Sequence, residues 1–312
     1  MEGTAKPLGF ERWFNVLGLT ALHGGAVVAL VIGARPVDLL IAFALYWVRM
    51  FAIIAGYHRY FSHRAYKTSR AFQFVLALIG TTATQKGPLW WAAVHRRHHR
   101  ESDRPADAHS PVQRGFWWAH IGWILSKEHE EYDPREVKDL YKYPELRWLD
   151  RWHVVPVLAL IGLTVLFGGL RGITWWYCVS TVFVLHFTFF INSLAHVWGT
   201  RRFATTDDSR NNLLLSLLTM GEGWHNNHHR YMQSANQGFY WWQIDAGYYV
   251  LKALSWVGIV WDLRKPPKRI LEEGLAGNPA PFVKPESAPV TAASAAERFR
   301  ESVLPPMPAD AE

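Results

Sequence analysis

Eight histidines of this chain fall into three short boxes: His58-Arg-Tyr-Phe-Ser-His63, His95-Arg-Arg-His98-His99 and His225-Asn-Asn-His228-His229. A ninth, His196, closes Asn192-Ser-Leu-Ala-His196. Neutral imidazole is a ligand for iron, copper, zinc and nickel. Nine imidazoles exceed what one metal can use, so two metals with four or five nitrogens each is the economical count. On a helix, positions i, i+3 and i+4 share a face. His95, His98 and His99 are therefore expected to point together, and so are His225, His228 and His229. Asn192 and His196 are also i, i+4. His58 and His63 lie five apart, about 140° around an α-helix, and converge only if the helix ends or bends.

The remaining chemistry-bearing residues narrow the choice. Cys178 is the single cysteine, which excludes a disulfide framework and a cysteine metal site. The apolar segments carry no Glu-x-x-His pair of the kind used by soluble di-iron bundles. His23, His153 and His186 stand alone on apolar faces and read as structural. His109, His120 and His129 lie in polar stretches and read as surface or hydrogen-bonding groups. The net charge of +7 is not gathered into a nucleic-acid motif, so no nucleic-acid partner is expected.

The elements that must position these residues are apolar. The chain has 312 residues, half of them hydrophobic, with 17 Trp, 17 Phe and 12 Tyr. Such aromatic content suits membrane interfaces. Residues 13–32, 37–57, 154–169 and 173–195 each read as a helix of roughly bilayer-crossing length. The first pair is joined by Gly33-Ala-Arg-Pro36 and the second by Leu170-Arg-Gly172, which makes two antiparallel hairpins. The first span starts too deep, and lacks a small-residue cleavage site, for a removable signal peptide. Arg and Lys number 2 before the first span, 16 in residues 57–152 and 12 in residues 196–312, with one in each short turn. The positive-inside rule then places both termini, both long polar segments and all three boxes on the cytoplasmic side. In a prokaryote the membrane would be the inner one. Residues 71–93, broken by Thr81 to Pro88, are expected to be interfacial or re-entrant. Residues 239–262 read as an amphipathic interfacial helix. The expected fold is all-α, with four transmembrane helices as two hairpins and a helical cytoplasmic cap (58–152 and 196–273) holding a histidine-rich di-metal site. It would form one domain over residues 1–273, followed by a disordered tail over 274–312.

Five segments together resemble the membrane fatty acid desaturases of the acyl-CoA delta-9 (stearoyl-CoA-like) type, over residues about 14 to 265. They are Gly56-Tyr-His-Arg-Tyr-Phe-Ser-His-Arg64, Trp91-Ala-Ala-Val-His-Arg-Arg-His-His99, Arg114-Gly-Phe-Trp-Trp-Ala-His-Ile-Gly-Trp123, Asn192-Ser-Leu-Ala-His196 and Gly221-Glu-Gly-Trp-His-Asn-Asn-His-His229. The resemblance implies an enzyme with two iron ions, or with zinc in their place in recombinant preparations. It would use O2 as co-substrate and two external electrons to insert a cis double bond into a saturated acyl chain. It also implies that His58, His63, His95, His98, His99, His196, His225, His228 and His229 are metal ligands, with Asn192 acting through a water. One departure is Asp107-Ala-His-Ser-Pro111, where the family often has Asp-Pro-His-Ser-Pro.

A saturated chain has no polar handle near its middle, so tunnel depth and a grip on its head must set its position. Tyr46 and Met50, upstream of His58 on the second span, are candidates for the tunnel end, and Trp91, one turn before His95, for its wall. Lys86, Arg96 and Lys127 are candidates for holding a phosphate-bearing carrier. No flavin, haem or fused His-Pro-Gly-Gly segment is present, so electrons are expected from ferredoxin, rubredoxin or separate cytochrome b5, drawn to a basic face. Membrane lipid is the other expected partner. Two rival readings are a membrane di-iron lipid hydroxylase or ketolase, and a metal transporter or sensor.

Overall fold

The computed structural model describes residues 10–126 and 128–277. Lys127 and most of the expected tail lie outside the described residues. Helix α1 (Phe10–Ile32) turns at Gly33, whose φ of 68° suits a residue without Cβ. Helix α2 (Pro36–Phe51) begins with proline at its first position, where the missing N–H costs nothing. It runs on without a break as a π-helix, Ala52–Ser62.

The chain then leaves the apolar layer for a cap of short helices. Helix α3 (Arg70–Thr81), capped by Ser69, is followed by α4 (Pro88–Glu101), α5 (Pro111–Arg114), α6 (Phe116–His120), α7 (Lys138–Tyr141) and α8 (Pro144–Arg151). At 12 residues α3 is about 18 Å long, too short to cross a hydrocarbon core of about 30 Å.

Helix α9 (Val154–Arg171) leads into a second π-helix (Gly172–Val179), α10 (Ser180–Asn192) and a 3-10 turn (Leu194–His196). This stretch doubles back on itself. Gly169 is non-helical at φ 55°, and a Cβ on Gly172 would lie 1.8 Å from the Thr164 carbonyl oxygen. The two short turns meet at one end of the molecule. Arg171 donates to the Gly33 carbonyl at 2.8 Å and to Asp38 at 3.1 Å. Trp175 and Trp176 donate their indole N–H groups to Gly33 and Asp38.

The cap is completed by α11 (Leu213–Leu218), α12 (His225–Arg230), α13 (Ala246–Trp256) and α14 (Lys268–Ala276). Strand β1 (Lys67–Thr68) pairs antiparallel with β2 (Val260–Trp261). The amphipathic segment expected over 239–262 is helical only in α13, which buries Tyr248 and Leu251 and exposes Trp256. Helix α14 reaches Ala276, three residues into the stretch expected to form the tail, and Gly274 sits against Phe203 and Tyr240.

Among the described residues, three helical stretches are long and apolar enough to cross a membrane: Asn15–Ile32, Pro36–Ser62 and Val154–His196. Their apolar windows are 11%, 50% and 17% buried. The outer two therefore leave most of their apolar surface facing outward, as lipid-facing helices do. The main hydrophobic core lies where the cap sits on the π-helix, around Tyr57, Phe61, Leu89, Leu140 and Leu146.

Candidate metal centre

The backbone explains how the first box converges. The π-helix closes i→i+5 hydrogen bonds, so residues five apart stack on one face, and the His58 and His63 rings lie 4.9 Å apart. The wider helix and its end together solve the 140° problem, since the helix stops at Ser62 and His63 is the residue that caps it. The second box rides on α4, whose first turn is held by Asp150 Oδ1 accepting from the Leu89 and Trp90 amides at 2.9 Å each. The third box is α12 itself.

The boxes do not each form one convergent triple. Ligand atoms of His58, His63, His95, His99 and His228 lie within 4.8 Å of one another, and those of His98, His196, His225 and His229 form a second such group. In α4 the i, i+4 pair His95 and His99 joins the first cluster while His98 turns to the second. In α12 the pair His225 and His229 joins the second while His228 crosses to the first. Each HxxHH box thus bridges two metal-sized sites. The Nε2 atoms of His58 and His228, of His63 and His95, and of His99 and His228 face each other at 2.9 Å. Those of His95 and His99 are 3.0 Å apart, and those of His196 and His225 3.1 Å.

Carboxylates fix the outer nitrogens, a layer that the sequence reading missed. Nδ1 of His98 donates to Asp107 at 3.0 Å, of His196 to Asp103 at 2.9 Å, of His229 to Asp207 at 2.6 Å, and of His58 to Glu222. Such partners set the tautomer and aim Nε2 at a metal. With those protons committed, inward lone pairs face one another across gaps that a cation would bridge. His229 Nε2 is buried without a hydrogen-bond partner, as suits a nitrogen aimed at a cation. The donor set therefore fits two metal ions.

The electrostatics agree. Burial alone would raise the Asp103 carboxyl, but the His196 charge and the hydrogen bonds it receives bring it down to about 2. Asp207 is likewise pulled well below the carboxylate range by His229 against the effect of burial. Burial first, and neighbouring imidazoles second, hold His99, His225 and His228 well below the usual 6.5, so they keep neutral, ligating rings at neutral pH. The signal for these acids was present. Glu222 lies inside the fifth quoted segment, and Asp103 and Asp107 follow the second box at i, i+4 spacing.

His196 and Asn192 are not placed by a continuous helix. Helix α10 ends at Asn192, Ser193 departs to φ −102°, and His196 sits on the 3-10 turn. Asn192 lines both cavities that open beside the clusters. The smaller, about 40 Å³, is bounded by Met50, Ile53, Ile54, Ile191, His58 and His225 among others. The larger, about 390 Å³, runs from His95 and Trp91 between α1, α9 and α10 past Leu22, Ile161 and Leu185. Trp91 lines both and stacks on His95, and its indole N–H donates to Gln85 at 3.3 Å. Gln85 in turn donates to Thr188 at 3.1 Å.

Tyr46 lines neither of these cavities; it packs on Trp47, Phe183 and Phe187 and donates to the Leu218 carbonyl. Lys86 lies on the larger cavity with its ammonium 4.6 Å from the Trp90 ring. Arg96 is fully engaged, bonding the carbonyls of Phe61, Ser62 and Glu136 and the Asp139 carboxylate, so it staples the first box to the cap. Among the isolated histidines, His23, His186 and His120 form a hydrogen-bonded chain with 2.9 Å steps that ties α1 and α6 to α10. His109 and His120 are buried rather than on the surface.

Comparison with known proteins agrees with this geometry. Residues 35–257 match the family model described as fatty acid desaturase. An acyl-CoA C20 Delta5-desaturase of Anemone leveillei is 38% identical over 72% of this chain and 73% of its own length. An sn-1 stearoyl-lipid 9-desaturase of Anabaena variabilis is 34% identical over 83% and 96%, and one of Synechocystis 35% identical over 86% and 85%. With two imidazole clusters beside an apolar cavity in a match of this extent, the chain belongs to the fatty acid desaturase family and is a desaturating oxidoreductase.

Proposed function

We propose that this protein inserts a cis double bond at the delta-9 position of a saturated acyl chain, carried as a coenzyme A thioester, using O2 and two electrons from an external carrier. The observation that carries the reading is the pair of histidine clusters opening onto an apolar cavity through His95 and Asn192. Relatives named for positions 5 and 9 differ among themselves, so the delta-9 assignment rests on the motif resemblance.

The nine histidines would hold two iron ions, with Asn192 completing one position through a water. Iron bound there supplies the dioxygen-dependent oxidising power for removing hydrogen from an unactivated chain. The chain's own residues do the rest. Glu222, Asp103, Asp107 and Asp207 orient the imidazoles. Trp91, Gln85 and Thr188, tied in a row, shape the wall past which the acyl chain lies. The apolar lining excludes water from the reacting carbons.

The reading extends to the membrane. At about 1.5 Å per residue the 43 residues of Val154–His196 would span about 65 Å, twice a hydrocarbon core. The break at Gly169 supports two spans there and four in all, within the single domain proposed over residues 1–273. Both short turns meet at the end away from the clusters, which supports a cytoplasmic cap under the positive-inside rule. A ferredoxin, rubredoxin or cytochrome b5 is the expected electron donor, docking on that basic side.

The test is expression in a host lacking unsaturated fatty acids, followed by mass spectrometry of total lipid. A new double bond at carbon 9, absent in His228→Ala, is the expected result. An oxygenated product would favour the hydroxylase reading. Metal flux without lipid turnover would favour the transporter reading.

A further inference from the structure

The two clusters sit in unequal electrostatic surroundings. In the four-nitrogen cluster, His98, His196 and His229 each donate Nδ1 to an aspartate of their own. Among the described residues, none of Asp103, Asp107 and Asp207 is paired with a Lys or Arg side chain. In the five-nitrogen cluster only His58 donates to a carboxylate, Glu222. Arg59 takes the other oxygen of that carboxylate through Nε at 3.1 Å and Nη2 at 2.9 Å. Beside His228 stands a neutral amide: Gln237 Nε2 is 3.4 Å from His228 Nδ1 and 3.2 Å from Glu222. Three carboxylates with no Lys or Arg side-chain pair among the described residues therefore back one cluster, with Arg201 bonding the Asp207 backbone carbonyl at 2.6 Å, and one carboxylate paired with Arg59 backs the other.

We propose that the two metal positions are unequal, the four-nitrogen position backed by Asp103, Asp107 and Asp207 taking a divalent cation first and more tightly, and the five-nitrogen position filling second. The inference rests on reading the clusters as a two-metal centre. A carboxylate on Nδ1 makes an imidazole a stronger donor, and losing one such partner typically weakens metal affinity about 10–100-fold. One extra imidazole favours the five-nitrogen position. Three buried anions, acting through a medium of low dielectric, outweigh a single neutral ligand. The three aspartates are positioning residues: they act on the metal through the histidines.

The experiment uses the full chain in detergent, stripped of metal by a chelator and titrated with Co²⁺ in a calorimeter. Two equivalents are expected in two resolved steps. Asp103→Asn and Asp207→Asn, which keep the side-chain size, weaken the tight step by about 10–100-fold and leave the other in place. Glu222→Gln weakens the second step. Two equivalents binding in one step, or a tight step weakened by Glu222→Gln and untouched by the aspartate changes, overturns the proposal. Fewer than two equivalents on the wild-type protein overturns the two-metal reading itself. Should the asparagine variants fail to fold, His225→Ala is expected to abolish the tight step and His63→Ala the weak one; the reverse pairing overturns the proposal.

Discussion

His229 and Asp207 share a 2.6 Å hydrogen bond that commits the outer ring nitrogen and leaves the inner one buried without a partner. Aspartates commit the outer nitrogens of His98 and His196 in the same way, which makes the centre a set of aimed lone pairs. A cation bound there stabilises the fold. At a free concentration a thousandfold above Kd, each site adds about 4 kcal/mol. Chelation is expected to lower Tm in detergent, and returning metal to restore it. An unchanged Tm on complete metal removal would contradict the arrangement.

Acid should act on the same residues with a definite sign. The folded protein holds His95, His99, His225 and His228 well below 6.5, chiefly by burial, so below that pH the unfolded chain binds more protons than the folded one. The stability they contribute is present above about 6.5 and is lost as pH falls below it. Thermal unfolding of the chelated protein between pH 8 and 5 checks this: Tm should fall in the lower part of the range, the four depressed imidazoles outweighing His196, which Asp103 raises to about 9 against the effect of burial. A Tm that rises on acidification refutes it.

Met50 is wholly buried and lines the small cavity beside His58. Met50→Ala removes volume where the cavity ends against α2, at a cost in stability of about 2–5 kcal/mol. The expected outcome is a product profile moved toward longer acyl chains. Chromatography of products from a mixture of chain lengths measures it, and an unchanged profile would remove Met50 from the chain-length role.

Gly172 makes the second hairpin possible, because its α-carbon passes where any side chain would meet the Thr164 carbonyl. Gly172→Val is expected to cost about 1–3 kcal/mol or more by overpacking, seen as lower Tm and lower yield of folded protein. Gly162→Ala is the control, since nothing lies within 4 Å of a Cβ there. Equal behaviour of the two variants would contradict the close packing.

The apolar segments and the histidine boxes were legible in the sequence because composition and spacing are local. The partition of each box was not. Spacing says that His95, His98 and His99 share a face, but only the packing of α4 against α12 decides that His98 and His228 cross over. The carboxylates were legible only in part: Asp103, Asp107 and Glu222 lie beside the boxes, but Asp207 reaches His229 across 22 positions and Asp103 reaches His196 across 93, so no local pattern says which histidine each one serves. Arg96, read as a possible grip on a phosphate, is instead consumed by bonds to Ser62, Phe61 and Asp139. Such competition for a cation is invisible until the partners are assembled.

The π-helix that carries His58 and is capped by His63 has a consequence for portability. A short peptide copied from this stretch would relax toward the commoner α-helix, whose 3.6-residue turn splays residues five apart by about 140°. The first box would then present its two imidazoles to different sides and chelate nothing. Its competence is lent to it by the surrounding molecule, so this motif cannot be moved to another scaffold unless the helix geometry moves with it.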